Sequence, residues 1–153
     1  MRMIDQGYPL AALVTALVTA LVVLIHYEGL RLLAAVTAGR AFRRHRSALL
    51  AMMFALLALH VLEIICYGLG YWGLNALPAL GSVQGDPDLS LFDGIYLSAM
   101  AYSTASFGDL WPSGAIRVMA GMEAIAGLVM IAWSASFTYM AMTTLWPGHR
   151  RRE

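Results

Sequence analysis

Three stretches of this chain are long and apolar enough to cross a bilayer, and a fourth is too short. Residues 9 to 25 carry no charge, residues 48 to 72 are interrupted only by His60 and Glu63, and residues 118 to 146 hold one charge, Glu123. Runs of this kind read as membrane helices. The first is short for a span, so its helix is expected to continue past His26, Tyr27 and Glu28 into residues 29 to 36. The fourth run, residues 91 to 102, would rise only about 18 Å as a helix against a hydrocarbon core of about 30 Å. Composition agrees: 60% of the residues are hydrophobic and 12% charged, far from a soluble domain.

Charge placement orients the spans. All ten basic residues are arginine, and seven lie in two clusters, at 40 to 46 and 150 to 152. Basic loops stay cytoplasmic. The linker at 73 to 90 has Asp86, Asp88, two prolines and no basic residue, which suits the outside. Three spans satisfy this pattern, with the amino terminus outside and the carboxyl terminus in the cytoplasm of a cell inner (plasma) membrane. A fourth full span would put one arginine cluster outside. The short run should therefore enter and leave on the external face. Arg2 is offset by Asp5 and no small-residue cleavage site follows the first run, so it is expected to be retained rather than removed as a signal.

A half-length helix cannot leave its last carbonyls facing lipid. Irregular backbone at that depth survives only when buried in protein or lining water. The carbonyl end carries partial negative charge. If it points inward it favours a cation, and the polar stretch after it, YSTASFGDLWPSG at 102 to 114, can return outward with carbonyls and hydroxyls turned to an ion.

Residues 90 to 117, with this stretch inside them, resemble the pore loop of tetrameric potassium channels, most of all the small bacterial two-pore-type or ion channel family proteins. The positions matching that family's filter are Thr104, Ala105, Ser106, Phe107, Gly108 and Asp109, followed by Pro112 and Gly114. Residues 117 to 140 resemble the inner helix, with Gly127 near the place of a hinge glycine. The resemblance implies an all-α membrane protein with three transmembrane helices and a re-entrant pore helix and filter loop between the second and third. It implies a homotetramer in which Thr104 rings the inner filter mouth and Asp109 the outer. The parts are an N-terminal helix and basic cytoplasmic loop (1–47), a pore domain (48–146) and a basic cytoplasmic tail (147–153). Within the pore domain lie an outer helix (48–72), pore helix (91–103), filter (104–109) and inner helix (114–146). Ser106 departs from the pattern, for it stands where the family has its first filter glycine. A Cβ disfavours positive φ. Serine is therefore expected to sit in a different conformation, turning one carbonyl away or placing a hydroxyl near the ion path, and to weaken potassium preference.

Ionisable residues inside spans are functional candidates. His60 and Glu63, three apart, share a helix face and form a candidate proton-sensitive pair. Glu123 is expected to be buried behind the pore helix, bonded to hydroxyls such as Ser98, Tyr102 or Ser103, or else to tune the gate. Asp109 attracts cations or acts as an acceptor behind the filter, and Asp93 complements the dipole at the start of the pore helix. His26 and Glu28 are expected to snorkel toward the interface. Zinc takes three or four ligands, and His26, Glu28, His60 and Glu63 are not expected to converge, so no metal beyond the permeant cation is expected. Cys66 reads as a small core residue. Ser134, Ser136 and Thr138 line a wet inner cavity or make small-residue helix contacts.

The reading is a passive channel for monovalent cations, K⁺ and with weakened preference also Na⁺. It needs no cofactor, its partners are copies of itself and membrane lipid, and it has no role with nucleic acid. No nucleophile with a base and no phosphate loop is legible, so an enzyme is not expected. The rivals are a non-conducting accessory subunit that keeps the pore fold, and a small membrane redox or metal-handling protein.

Overall fold

A computed structural model describes residues 2–37, 47–86 and 88–145. The arginine clusters at 40–46 and 150–152, on which the expected orientation rests, lie outside the described residues. Four α-helices follow one another: α1 (Arg2–Thr37), α2 (Ser47–Asn75), α3 (Leu91–Tyr102) and α4 (Arg117–Leu145). Three segments are long and apolar enough to cross a membrane: Gly7–Thr37, Ser47–Asn75 and Gly114–Thr143. The protein is thus an all-α membrane protein with three candidate spans and one short helix between the second and third. α1 runs on through His26, Tyr27 and Glu28, as its short apolar run requires.

Each long helix turns one stripe inward. On α2 the buried residues are Ala48, Met52, Leu56, Glu63, Tyr67, Tyr71 and Leu74, with Gly68 between them, spaced mostly by three or four. On α1 they are Gly7, Ala11, Thr15, Val22, His26 and Leu30. The opposite faces are apolar and open: Leu17, Phe54 and Ile125 are 62%, 70% and 60% exposed. That pattern suits lipid, which solvates apolar side chains as well as protein does, so association must come from close packing and hydrogen bonds. α2 and α3 meet at Gly68 and Gly94. A Cβ on Gly94 would lie 2.8 Å from the Gly68 carbonyl oxygen, and one on Gly68 would lie 2.8 Å from the Cα of Ile95. Only glycine permits that approach.

The position of α1, which the sequence leaves open, is against both α2 and α4. Thr19 Oγ1 and the Tyr67 hydroxyl lie 2.9 Å apart across the α1–α2 contact. The main core gathers Val22, Tyr67, Tyr71, Leu97, Tyr102, Ile116 and Met119 from all four helices and the turn before α4.

The linker ahead of α3 is more ordered than a run of prolines and glycines suggests. It holds a 3-10 turn at Pro78–Leu80 and a two-residue strand β1 (Val83–Gln84). β1 pairs antiparallel with β2 (Trp111–Pro112), matching Val83 with Pro112 and Gln84 with Trp111. Asn75 Oδ1 accepts the Val83 N–H at 2.8 Å, and the Ser113 N–H reaches the Ser82 carbonyl at 2.9 Å. The chain entering α3 and the chain leaving the following loop are therefore clamped together.

Candidate ion-conduction site and two buried carboxylates

α3 begins with a capping box. The Ser90 side chain accepts the Asp93 N–H, and the Asp93 carboxylate accepts the Ser90 N–H at 2.8 Å and its hydroxyl at 2.5 Å. The Ser90 hydroxyl and N–H hold the Asp93 carboxyl below its ordinary range. The acid expected at the start of this helix thus serves its first turn in two ways, by capping and by charge.

The other end closes in a left-handed turn. The Thr104 N–H bonds the Ala101 carbonyl and the Ala105 N–H bonds the Met100 carbonyl, both at 3.1 Å, while Thr104 takes φ +58°. This is a Schellman arrangement with Thr104 in the position usually given to glycine. The carbonyls of Ala99, Met100 and Ala101 are used by the turn itself. They are thus less free to face an ion than the sequence suggests, although the helix dipole remains.

Beyond the cap the backbone alternates. φ is positive at Thr104 (58°), Ser106 (103°) and Gly108 (65°), and at no other residue from 103 to 109. Ser106 therefore does not take an ordinary conformation, as its Cβ led us to expect. It keeps the left-handed side, at a cost of about 1–3 kcal/mol for a non-glycine residue. Residues 103 to 109 are all exposed in the single chain, Phe107 by 39%. Asp109 is an exposed charge whose field reaches Tyr96 on α3 and holds that phenol above its ordinary range.

Gly127 has a packing reason to be glycine. A Cβ there would run into the Tyr102 carbonyl oxygen. α4 thus touches the last residue of α3 backbone to backbone, directly under the loop.

Glu123 is fully buried behind α3, as expected, and accepts the Ser98 hydroxyl at 2.5 Å and the Tyr71 hydroxyl at 2.6 Å. The Ser98 hydroxyl also lies 2.8 Å from the Ile64 carbonyl. Of the three hydroxyls the sequence offered, Ser98 is the partner; Ser103 and Tyr102 are not. Ser103 turns back onto the Ala99 carbonyl at 2.7 Å, the usual choice of a serine at a helix end. Tyr71 was missed, because a contact 52 residues away leaves no local signal.

Tyr102 belongs to the second carboxylate. Its hydroxyl donates to Glu63 Oε2 and lies 2.9 Å from His60 Nδ1. His60 Nδ1 is 3.3 Å from the same carboxylate oxygen, which confirms that the two share a helix face. The other oxygen, Oε1, is 2.8 Å from His26 Nδ1. His26 was expected to snorkel, and it does not: it is fully buried, between the His60 and Trp133 rings at 5.5 and 5.3 Å. Nor are the ionisable residues scattered. One donor atom from each of His26, His60 and Glu63 lies within 4.8 Å of the others. Glu28 alone stays apart, exposed and paired with Arg31 at 3.2 Å. His26 Nε2 is buried with no hydrogen-bond partner among the described residues, a cost of about 1–3 kcal/mol.

Ser134 and Thr138 line an apolar groove of about 610 Å³ with His60 and Tyr102 at its wall. Thr138 bonds the Ser134 carbonyl at 2.9 Å and Ser136 the Ala132 carbonyl at 3.0 Å.

No curated protein and no solved structure matches the chain. The ion channel family model matches residues 59–144, more than half of the 153 residues, running from the second half of α2 through α3 and the alternating loop to the end of α4. With a short capped helix, a loop of alternating hand and a long helix packed under both, the chain belongs to the ion channel family.

Proposed function

We propose that this chain forms a passive monovalent-cation pore resembling potassium channels, in which residues 104–109 of four copies surround the axis. The observation that carries the reading is the backbone alternation at Thr104, Ser106 and Gly108. When every second residue takes the left-handed side, successive carbonyls can point to one side of the strand. Such a strand from one chain is a single wall. Its exposure in the isolated chain fits a surface that neighbouring copies complete, and rings of carbonyls substitute for an ion's water.

The β1–β2 clamp supports the re-entrant path, since the segment it closes off begins and ends in one place. With the arginine-rich segments in the cytoplasm of an inner (plasma) membrane, the clamp, Asp86, Asp93 and Asp109 lie outside, as does the amino terminus. Lipid and copies of the chain cover the apolar faces. The permeant ions are K⁺ and, less favoured, Na⁺.

Ser106 weakens potassium preference in this scheme through strain rather than through a rebuilt backbone. Holding a Cβ at φ 103° brings competing loop conformations closer in energy, and selectivity depends on how well the carbonyl rings are kept. The test is the reversal potential of purified protein in planar bilayers under a K⁺/Na⁺ gradient. Ser106→Gly should move it toward the potassium value with current retained. An unchanged ratio in a conducting Ser106→Gly protein would contradict this role for Ser106.

A further inference from the structure

We propose that His26, His60 and Glu63 form a binding site for a divalent transition-metal ion of the zinc class. The site lies where α1 meets α2, beside the last residue of α3. Two imidazoles on different helices turn the same nitrogen, Nδ1, toward one carboxylate, at 2.8 and 3.3 Å. A tetrahedral ion with bonds of about 2.0–2.1 Å holds its ligands about 3.3 Å apart. Each imidazole is thus near that spacing from a carboxylate oxygen, and one ligand atom from each of the three residues lies within 4.8 Å of the others. Two histidines with one carboxylate is a ligand set of zinc chemistry. It does not suit calcium or magnesium, which take oxygen shells.

The Glu63 carboxylate is approached by His26 Nδ1, His60 Nδ1 and the Tyr102 hydroxyl together. The Tyr102 hydroxyl on Glu63 orients the ligand carboxylate, as outer partners of metal ligands do. His26 and Glu63 are fully buried, but the His60 side chain is 16% exposed and opens on the groove it shares with Tyr102. Through His60 the cluster reaches the surface of the single chain at that groove.

A bound ion would fasten α1 to α2 against Tyr102, whose carbonyl touches Gly127 and whose chain leads directly into the loop. The site is a property of the single chain and stands whether or not the pore conducts.

The test is cobalt binding to the full chain, purified in detergent and stripped with chelator. Co²⁺ in a four-coordinate nitrogen–oxygen site absorbs visible light far more strongly than in water. The wild type should develop that absorption, saturate at one ion per chain and lose it on addition of Zn²⁺. Tyr102→Phe should retain the spectrum with affinity weakened on the order of tenfold. His26→Ala should lose it while remaining helical by circular dichroism. His26→Cys separates ligation from folding, because it should bind Co²⁺ with a new sulfur-to-cobalt charge-transfer band. Folded wild-type protein with no absorption above that of buffered Co²⁺ would overturn the proposal. So would His26→Ala binding as tightly as wild type, or a folded His26→Cys protein without the new band.

Discussion

Two glutamates are sealed inside this membrane protein, and they are held by different chemistry. Glu123 on α4 is held by hydroxyls, Ser98 from α3 and Tyr71 from α2. Glu63 on α2 is held by two imidazoles and one phenol, from α1, α2 and α3. The first set brings no side chain that becomes a cation, and it ties together the three helices that the ion channel family match covers. The second attaches the extra helix α1 to them through an imidazole. A buried carboxylate with hydroxyl partners suits a fixed frame.

The comparison can be broken by removing each acid in turn. Glu63→Ala should have the largest effect, because it strands His26, His60 and the Tyr102 hydroxyl together; a loss of about 3–5 kcal/mol is expected, as when one partner of a buried pair is removed. Thermal unfolding in detergent measures it. If Glu63→Ala melts like wild type, the polar cluster does not hold α1 in place. Glu123→Gln keeps one acceptor oxygen, so its expected cost is smaller, about 1–3 kcal/mol. Ser98→Ala and Tyr71→Phe should each lose about 1 kcal/mol. Combined with Glu123→Gln, either should cost less than the sum, since partners in one network are not additive. Strict additivity would show that Glu123 has other partners.

A third carboxylate gives the exposed limit. Asp93 is lowered by its bonds to Ser90, so its share of α3 stability is complete above the ordinary aspartate range and is lost only as pH falls through the lowered value. Helicity followed to acid pH should show a small loss there in wild type and none attributable to this site in Asp93→Asn. Equal acid profiles would remove the cap from the account.

Much of the frame was legible because membrane helices announce themselves by length and by missing charge. The short helix was legible as an apolar run ended by a polar stretch, with its end one residue earlier than expected, whereas the part Ser90 plays in its capping box was not read from the sequence. His60 with Glu63 was legible from spacing alone; for buried Glu123 the sequence offered Ser98 only as one of three hydroxyls. His26 was not. Its neighbours Tyr27 and Glu28 make that turn look interfacial, and nothing local says that a residue 37 positions later will bury it. Ser106 misled in the opposite sense. A Cβ does disfavour positive φ, but Ser106 takes it all the same, as Thr104 and Gly108 do on either side.

The most direct test of the central claim is rubidium uptake into potassium-loaded liposomes that contain only this purified chain. The account predicts uptake that exceeds that of empty vesicles and collapses when the potassium gradient is dissipated. Vesicles holding folded protein that take up no more rubidium than empty ones would contradict it.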